Sequence, residues 1–209
     1  MPSDVLFADG FESGSTSKWS TTASNGGRLS VKTGAALSGT FGASATISNR
    51  VDTYVEDASP NAVTSYHARF QFDPNGVLIG SGQTHVLLAG RSASGNAIAV
   101  VQVRRGSAGY EVRSGARLDS GTVKYGAWAA ISDAPHSIEL GWSAATGTGK
   151  NGTVGLWIDG TPGSTLGGLT NGSGRIDAAR LGPQSIPSGV SGTEYFDGFA
   201  STTTRYIGQ

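Results

Sequence analysis

"SYHARFQFDPNG", residues 65–76, decides the fold. Tyr66, Ala68, Phe70 and Phe72 alternate with His67, Arg69, Gln71 and Asp73, and the Pro74-Asn75-Gly76 that follows is turn chemistry. Alternation with period two describes a strand that sets one face in a core and the other in water. "HSIELGWSA" repeats it, with Ile138, Leu140 and Trp142 against Glu139 and Gly141, and "TVGLWIDG" sets Val154, Leu156 and Ile158 against Trp157 and Asp159. Between the two lies "ATGTGKNGT", whose Asn151-Gly152 is a strong hairpin signal. Further strands are expected at 5–11, 28–32, 41–47, 84–89, 97–105, 109–117, 175–182 and 194–206, and no window carries a helical stripe. About a dozen short strands predict an all-β fold of two stacked antiparallel sheets.

The 209 residues show no shift of composition along the chain, so 1–209 reads as a single domain. There is no Cys, which removes disulfides and thiol catalysis. Lys plus Arg and Asp plus Glu number 15 each, so the chain has no electrostatic reason to hold nucleic acid or an anionic membrane surface. Apolar runs such as "AIAVVQV" at 97–103 are too short for membrane insertion, and "MPSDVLFADG" shows neither the basic start nor the apolar stretch of a signal peptide.

Few motifs carry chemistry. "GTGKNG" at 147–152 matches the dinucleotide pattern G-x-G-x-x-G, but strands surround it where a helix is required, so it reads as a hairpin loop. His67, His85 and His136 are too scattered for a zinc signature. Glycoside hydrolysis needs two carboxylates across a sugar, and no strand here carries acids two residues apart: Glu56 and Asp57 are adjacent, while Glu111 and Glu139 stand alone. Gln83 and His85 share a strand face, a pairing that suits eliminative cleavage beside a uronate, yet the Arg- and Tyr-rich segments that would complete it are missing. The strongest polar grouping is His67, Arg69 and Gln71 with Arg104 and Arg113 from the central strands, read as one wet sheet face, to which His85 is added. Trp157, opposite the apolar face of its strand, would be the aromatic platform of a carbohydrate site.

The chain opens with "LFADGFESG" at 5–13 and closes with "EYFDGFAST" at 194–202, which points to first and last strands lying side by side. Phe196 and Phe199 cannot both face the core from a regular strand, so a bulge is expected between them. Together with "GGRLSV", "SYHARFQFDPNG", "GLWIDG" and "YFDGFASTTTRYIG", these phrases resemble the concanavalin A-like lectin/glucanase superfamily, and within it the laminin-G-like jelly-roll domains of bacterial surface and phage proteins. The resemblance implies a jelly-roll sandwich that binds carbohydrate on a concave sheet or loop rim. It also implies a calcium ion where the end strands meet, for which Asp9, Glu12 and Asp197 are the candidate ligands. With the paired-acid strand missing, the expectation is a non-catalytic module that binds a polysaccharide or other glycan, located extracellularly, at a cell surface or in a virion. The alternative is a structural subunit of a larger assembly, a phage decoration, tail or fibre protein or a filament subunit, whose partners are copies of itself or other subunits. A polysaccharide lyase or glycoside hydrolase comes third.

Overall fold

The computed structural model describes residues 4–208. Its strands are β1 (Val5–Asp9), β2 (Thr21–Ala23), β3 (Leu29–Lys32), β4 (Gly42–Ile47), β5 (Tyr54–Asp57), β6 (Ser65–Asp73), β7 (Leu78–Ile79), β8 (Thr84–Arg91), β9 (Ala97–Gly106), β10 (Gly109–Arg117), β11 (Val123–Tyr125), β12 (Ala129–Ile131), β13 (His136–Ser143), β14 (Gly152–Ile158), β15 (Thr161–Leu169), β16 (Ala178–Gln184) and β17 (Val190–Thr202). The only helical piece among the described residues is a 3-10 turn at Thr33–Ala35, and no helix is long and apolar enough to cross a membrane.

The strands form two antiparallel sheets. A nine-stranded sheet runs β15-β14-β13-β6-β17-β4-β3, with β1 and β7 also paired to β17; an eight-stranded sheet runs β11-β10-β9-β8-β16-β5-β2, with β12 paired to β10. This is the all-β, jelly-roll sandwich that the alternation predicts. Tyr66, Ala68, Phe70 and Phe72 of β6 are fully buried between the sheets, against Val101 and Val103 of β9 and Tyr110 and Val112 of β10 in one continuous cluster. Burial of each of the Phe and Val side chains contributes about 1.5–3 kcal/mol, so the sandwich is held by its interior.

The matching ends do meet: β1 pairs with β17, Asp9 opposite Phe199 and Ala8 opposite Ala200. The register of β17 against β6 slips between Asp197 and Ala200, and Gly198 sits there at a φ of 55°, a conformation only glycine adopts without strain. The bulge lets Phe196 and Phe199 both enter the core. Around β1, Phe7, Phe11, Trp19 and Phe199 pack ring against ring, so the repeated aromatic-x-Asp-Gly-Phe phrase anchors the termini. Residues 203–206, expected to continue the last strand, instead turn away from it.

Candidate functional site

The outward face of the eight-stranded sheet has an apolar floor and a cationic rim. Val86 of β8, Ala89 of β8 and Val100 of β9 form a small cluster separate from the main core. It exists because β8 slips against β9 between Val86 and Leu88, which turns Leu87 and Leu88 both inward and returns Val86 and Ala89 to the outer side. A cavity of about 280 Å³ opens over this floor, bounded among others by Gln102, Gly115, Arg117 and Tyr125.

Two arginine pairs flank the floor. On one side Arg113 of β10 stands directly opposite Gln102 of β9, and Arg104 stands one step along opposite Glu111. Arg104 Nε donates to Glu111 Oε2 at 2.5 Å. Arg113 donates from Nε at 3.0 Å and from Nη2 at 2.9 Å, both to the neutral Gln102 Oε1, and among the described residues no carboxylate pairs with it. Its guanidinium lies over the Tyr125 ring at 3.9 Å and the Trp128 ring at 4.3 Å, and Arg104 shares Trp128 at 4.3 Å. Burial, opposed by Tyr125 and reinforced by neighbouring Arg104, holds the Arg113 pKa below the usual guanidinium value, and the group stays charged at any physiological pH. On the other side Arg180 of β16 donates to Glu56 of β5 at 2.5 Å and lies over Tyr54 at 4.2 Å. Arg91 of β8 stands close enough to Arg180 that burial first, and that like charge second, lower its pKa as well. Its Nε is buried without a hydrogen-bond partner among the described residues. An anion between such guanidiniums would relieve their repulsion.

The residues expected to form one glycan face separate into three places. Arg104 and Arg113 lie on the face just described. His67, Arg69, Gln71 and Trp157 lie on the outward face of the other sheet, since β6 and β14 belong to the nine-stranded sheet. There Arg69 is opposite Glu139, which is opposite Trp157. Segment 203–208 crosses that row, with Ile207 N and Gly208 N donating to Glu139 at 2.7 and 3.1 Å and Tyr206 against Trp157. His85 is corrected outright: it is fully buried between the sheets, where its Nε2 meets Glu194 Oε1 of β17 at 2.7 Å. Its position opposite inward-facing Val103 fixes that direction, so it cannot touch a sugar.

Asp9, Glu12 and Asp197, the expected calcium ligands, are engaged with N–H donors. Asp9 accepts from Phe11 N at 3.1 Å and Trp19 Nε1 at 2.9 Å. Glu12 accepts from Thr40 N and Phe41 N, and Asp197 from Leu37 N, Ser38 N and Gly198 N. Burial raises the Asp197 carboxyl above the usual carboxylate range despite these bonds. Among the described residues no group of three or more His, Asp or Glu side chains is disposed to hold a metal ion.

No family model and no curated protein matches the chain. Solved structures do match. A glucuronan lyase of the fungus Trichoderma reesei superposes with a TM-score of 0.67 over 95% of both chains, at 14% identity. A marine alginate lyase of Aplysia kurodai gives 0.62 over 95% of this chain and 99% of its own, at 11% identity. The binding domain of Paraclostridial Mosquitocidal Protein 1 gives 0.65 over 97% of this chain but 49% of its own, at 10% identity. These likenesses show the fold. They also correct the inference that the chain is not an enzyme: lyases share this sandwich from end to end, so the missing pair of hydrolytic acids does not argue against catalysis.

Proposed function

We propose that the protein engages an anionic, uronate-bearing polysaccharide across the outward face of the eight-stranded sheet. The observation that carries this reading is Arg113, a half-buried guanidinium whose side-chain hydrogen bonds end on a neutral amide, beside a second cation and above an apolar floor. A carboxylate laid against Arg113 gains a charge-assisted bond without displacing an acid. Val86, Ala89 and Val100 suit the apolar C–H surface of a sugar, and Tyr54 and Tyr125 stand at the two ends of the strip. The Arg91–Arg180 pair, on β8 and β16, sits across the floor from Arg104–Arg113, on β9 and β10. That solved lyases of this fold take glucuronan and alginate supports the choice of polymer. Such a ligand places the protein's action outside the cell.

A second reading, eliminative cleavage of the same polymer, is favoured by Tyr125. Its ring lies on Arg113, so a uronate whose carboxylate is held by Arg113 could lose its α-proton to the deprotonated Tyr125 oxygen while water protonates the departing glycosidic oxygen, leaving a carbon–carbon double bond in the sugar. Affinity electrophoresis in gels containing alginate or polyglucuronate, with neutral laminarin as control, tests the first reading: retardation by the acidic polymers supports it, and equal mobility in all gels refutes it. Incubation with the same polymers, followed by ultraviolet detection of unsaturated ends, tests the second. Product that vanishes in Tyr125→Phe supports cleavage, and retardation without product removes it.

A further inference from the structure

The row Arg69, Glu139 and Trp157 on the nine-stranded sheet takes no part in that reading. We propose that it is a second saccharide site, built for a neutral hexose unit and closed in this structure by the chain's own residues 203–208.

The Trp157 ring lies flat on the sheet. A Cβ added to Gly141 would stand 2.9 Å from Trp157 Cζ3 and one added to Gly155 3.1 Å from its Cη2, so the indole rests on two facing glycines of β13 and β14. Its other side meets Tyr206, ring centres 5.2 Å apart. Beside it the Glu139 carboxylate is only 3% exposed, touched by His67 Nδ1 at 3.3 Å. Its Oε1 accepts from Ile207 N at 2.7 Å and its Oε2 from Gly208 N at 3.1 Å, while Arg69 Nη1 donates to the Gly208 carbonyl. The segment therefore presents an aromatic platform with a ring, a carboxylate with two adjacent donors, and a guanidinium with an acceptor next to them.

A hexose presents the same set. Its C–H face stacks on indole, two neighbouring hydroxyls donate to the two carboxylate oxygens, and a further oxygen accepts from Arg69. A uronate does not fit, because its carboxylate would meet Glu139 in a desolvated site. The ligand class thus differs from that of the arginine-lined face.

The covering segment is built to leave. It belongs to no strand, and Thr204, Arg205 and Tyr206 are exposed. Its remaining polar anchors are Thr202 Oγ1 on the Arg205 carbonyl at 3.0 Å and contacts of Thr204 and Arg205 with Asp4. A stretch with so little buried apolar surface opens at small cost in free energy. A cavity of about 650 Å³ bordered by Arg69, Tyr206 and Ile207 continues toward Ala8 and Ala200, with room for adjoining units.

The test opens the site. In Tyr206→Ala/Ile207→Pro the ring over Trp157 is gone and proline lacks the N–H that Glu139 Oε1 accepts. Parent and variant, both verified as folded by circular dichroism and melting, are titrated calorimetrically with hexasaccharides of β-1,4-glucose, β-1,3-glucose and β-1,4-mannose, and separately with alginate. Removing the closed state is expected to tighten binding of at least one neutral hexasaccharide roughly tenfold or more. Adding Trp157→Ala should abolish that gain. Equal affinity in parent and variant, or a gain that survives Trp157→Ala, overturns the proposal. So does an opened variant that binds a synthetic 201–209 peptide but no sugar, which would make the face a peptide site. Alginate binding should be the same in both proteins, and its absence from both would count against the arginine-lined site alone.

Discussion

His85 and Glu194 join the two sheets through the core, and their removal gives the sharpest test of how the sandwich is held. Both side chains are fully buried, Nε2 and Oε1 are 2.7 Å apart, and His85 Nδ1 and Glu194 Oε2 find no other partner among the described residues. His85→Leu strands a carboxylate in the core, and Glu194→Leu strands an imidazole. Breaking a buried pair from one side costs about 3–5 kcal/mol, whereas replacing both members by apolar groups is often neutral or stabilising. At about 2–4 °C per kcal/mol for a domain of this size, each single variant should melt roughly 6–20 °C below the parent. The double variant should recover most of that loss. Thermal melts followed by circular dichroism, with urea titrations for the free energies, complete the cycle. Single costs below about 1 kcal/mol, or costs that simply add in the double variant, would refute the view that the pair is one unit bridging the sheets.

Asp57 is buried with Oδ2 lacking a hydrogen-bond partner among the described residues, and burial, opposed by its bond from Ser59, raises its pKa. A raised folded-state pKa means stability present below the ordinary carboxylate value of about 3.9 and lost as pH climbs through the folded value. Asp57→Asn should lack that loss, so urea titrations across the acidic range should show the parent falling relative to the variant as pH rises; parallel curves would contradict it. Gly141→Ala should displace the indole, since its Cβ would stand 2.7 Å from His67 Cε1 and 2.9 Å from Trp157; about 1–3 kcal/mol of destabilisation and a changed tryptophan emission are expected, and an unaltered spectrum would show that the ring does not lie there. With Asp9, Glu12 and Asp197 already accepting from N–H donors, chelator and millimolar calcium should give the same melting temperature, and a rise with calcium would restore an ion to the junction of the end strands.

Much of the fold was legible because alternation reports burial directly. Residues 65–73 announce β6 residue by residue, and the two Asp-Gly-Phe phrases announce both the pairing of the ends and the bulge between Phe196 and Phe199. Strands without that signal went unseen. β15, "TPGSTLGGL", is mostly exposed and rich in Gly, β5 has only four residues, and β2, β7, β11 and β12 have at most three each. Alternation tells which residues share a face of one strand; it does not tell which sheet the strand joins. Hence Arg69 and Arg113, both correctly read as outward, were placed on one face although the sandwich lies between them. His85 failed for a related reason, because its partner Glu194 is distant in sequence and no local pattern shows a charge pair across a core. Of the arginine-lined site, Gln102 was available in the alternation of "VVQVRR", whereas Arg91, Arg180 and Tyr125 become neighbours only through strand order.

The most direct measurement is calorimetric titration of alginate oligosaccharides into the parent, Arg113→Gln and, as a charge-matched control in the exposed hairpin loop, Lys150→Gln. Loss of the charge-assisted contact should weaken binding roughly tenfold or more in Arg113→Gln. Lys150→Gln should bind as the parent does. Equal affinities in all three proteins would contradict an anionic polysaccharide on the face that Arg113 occupies.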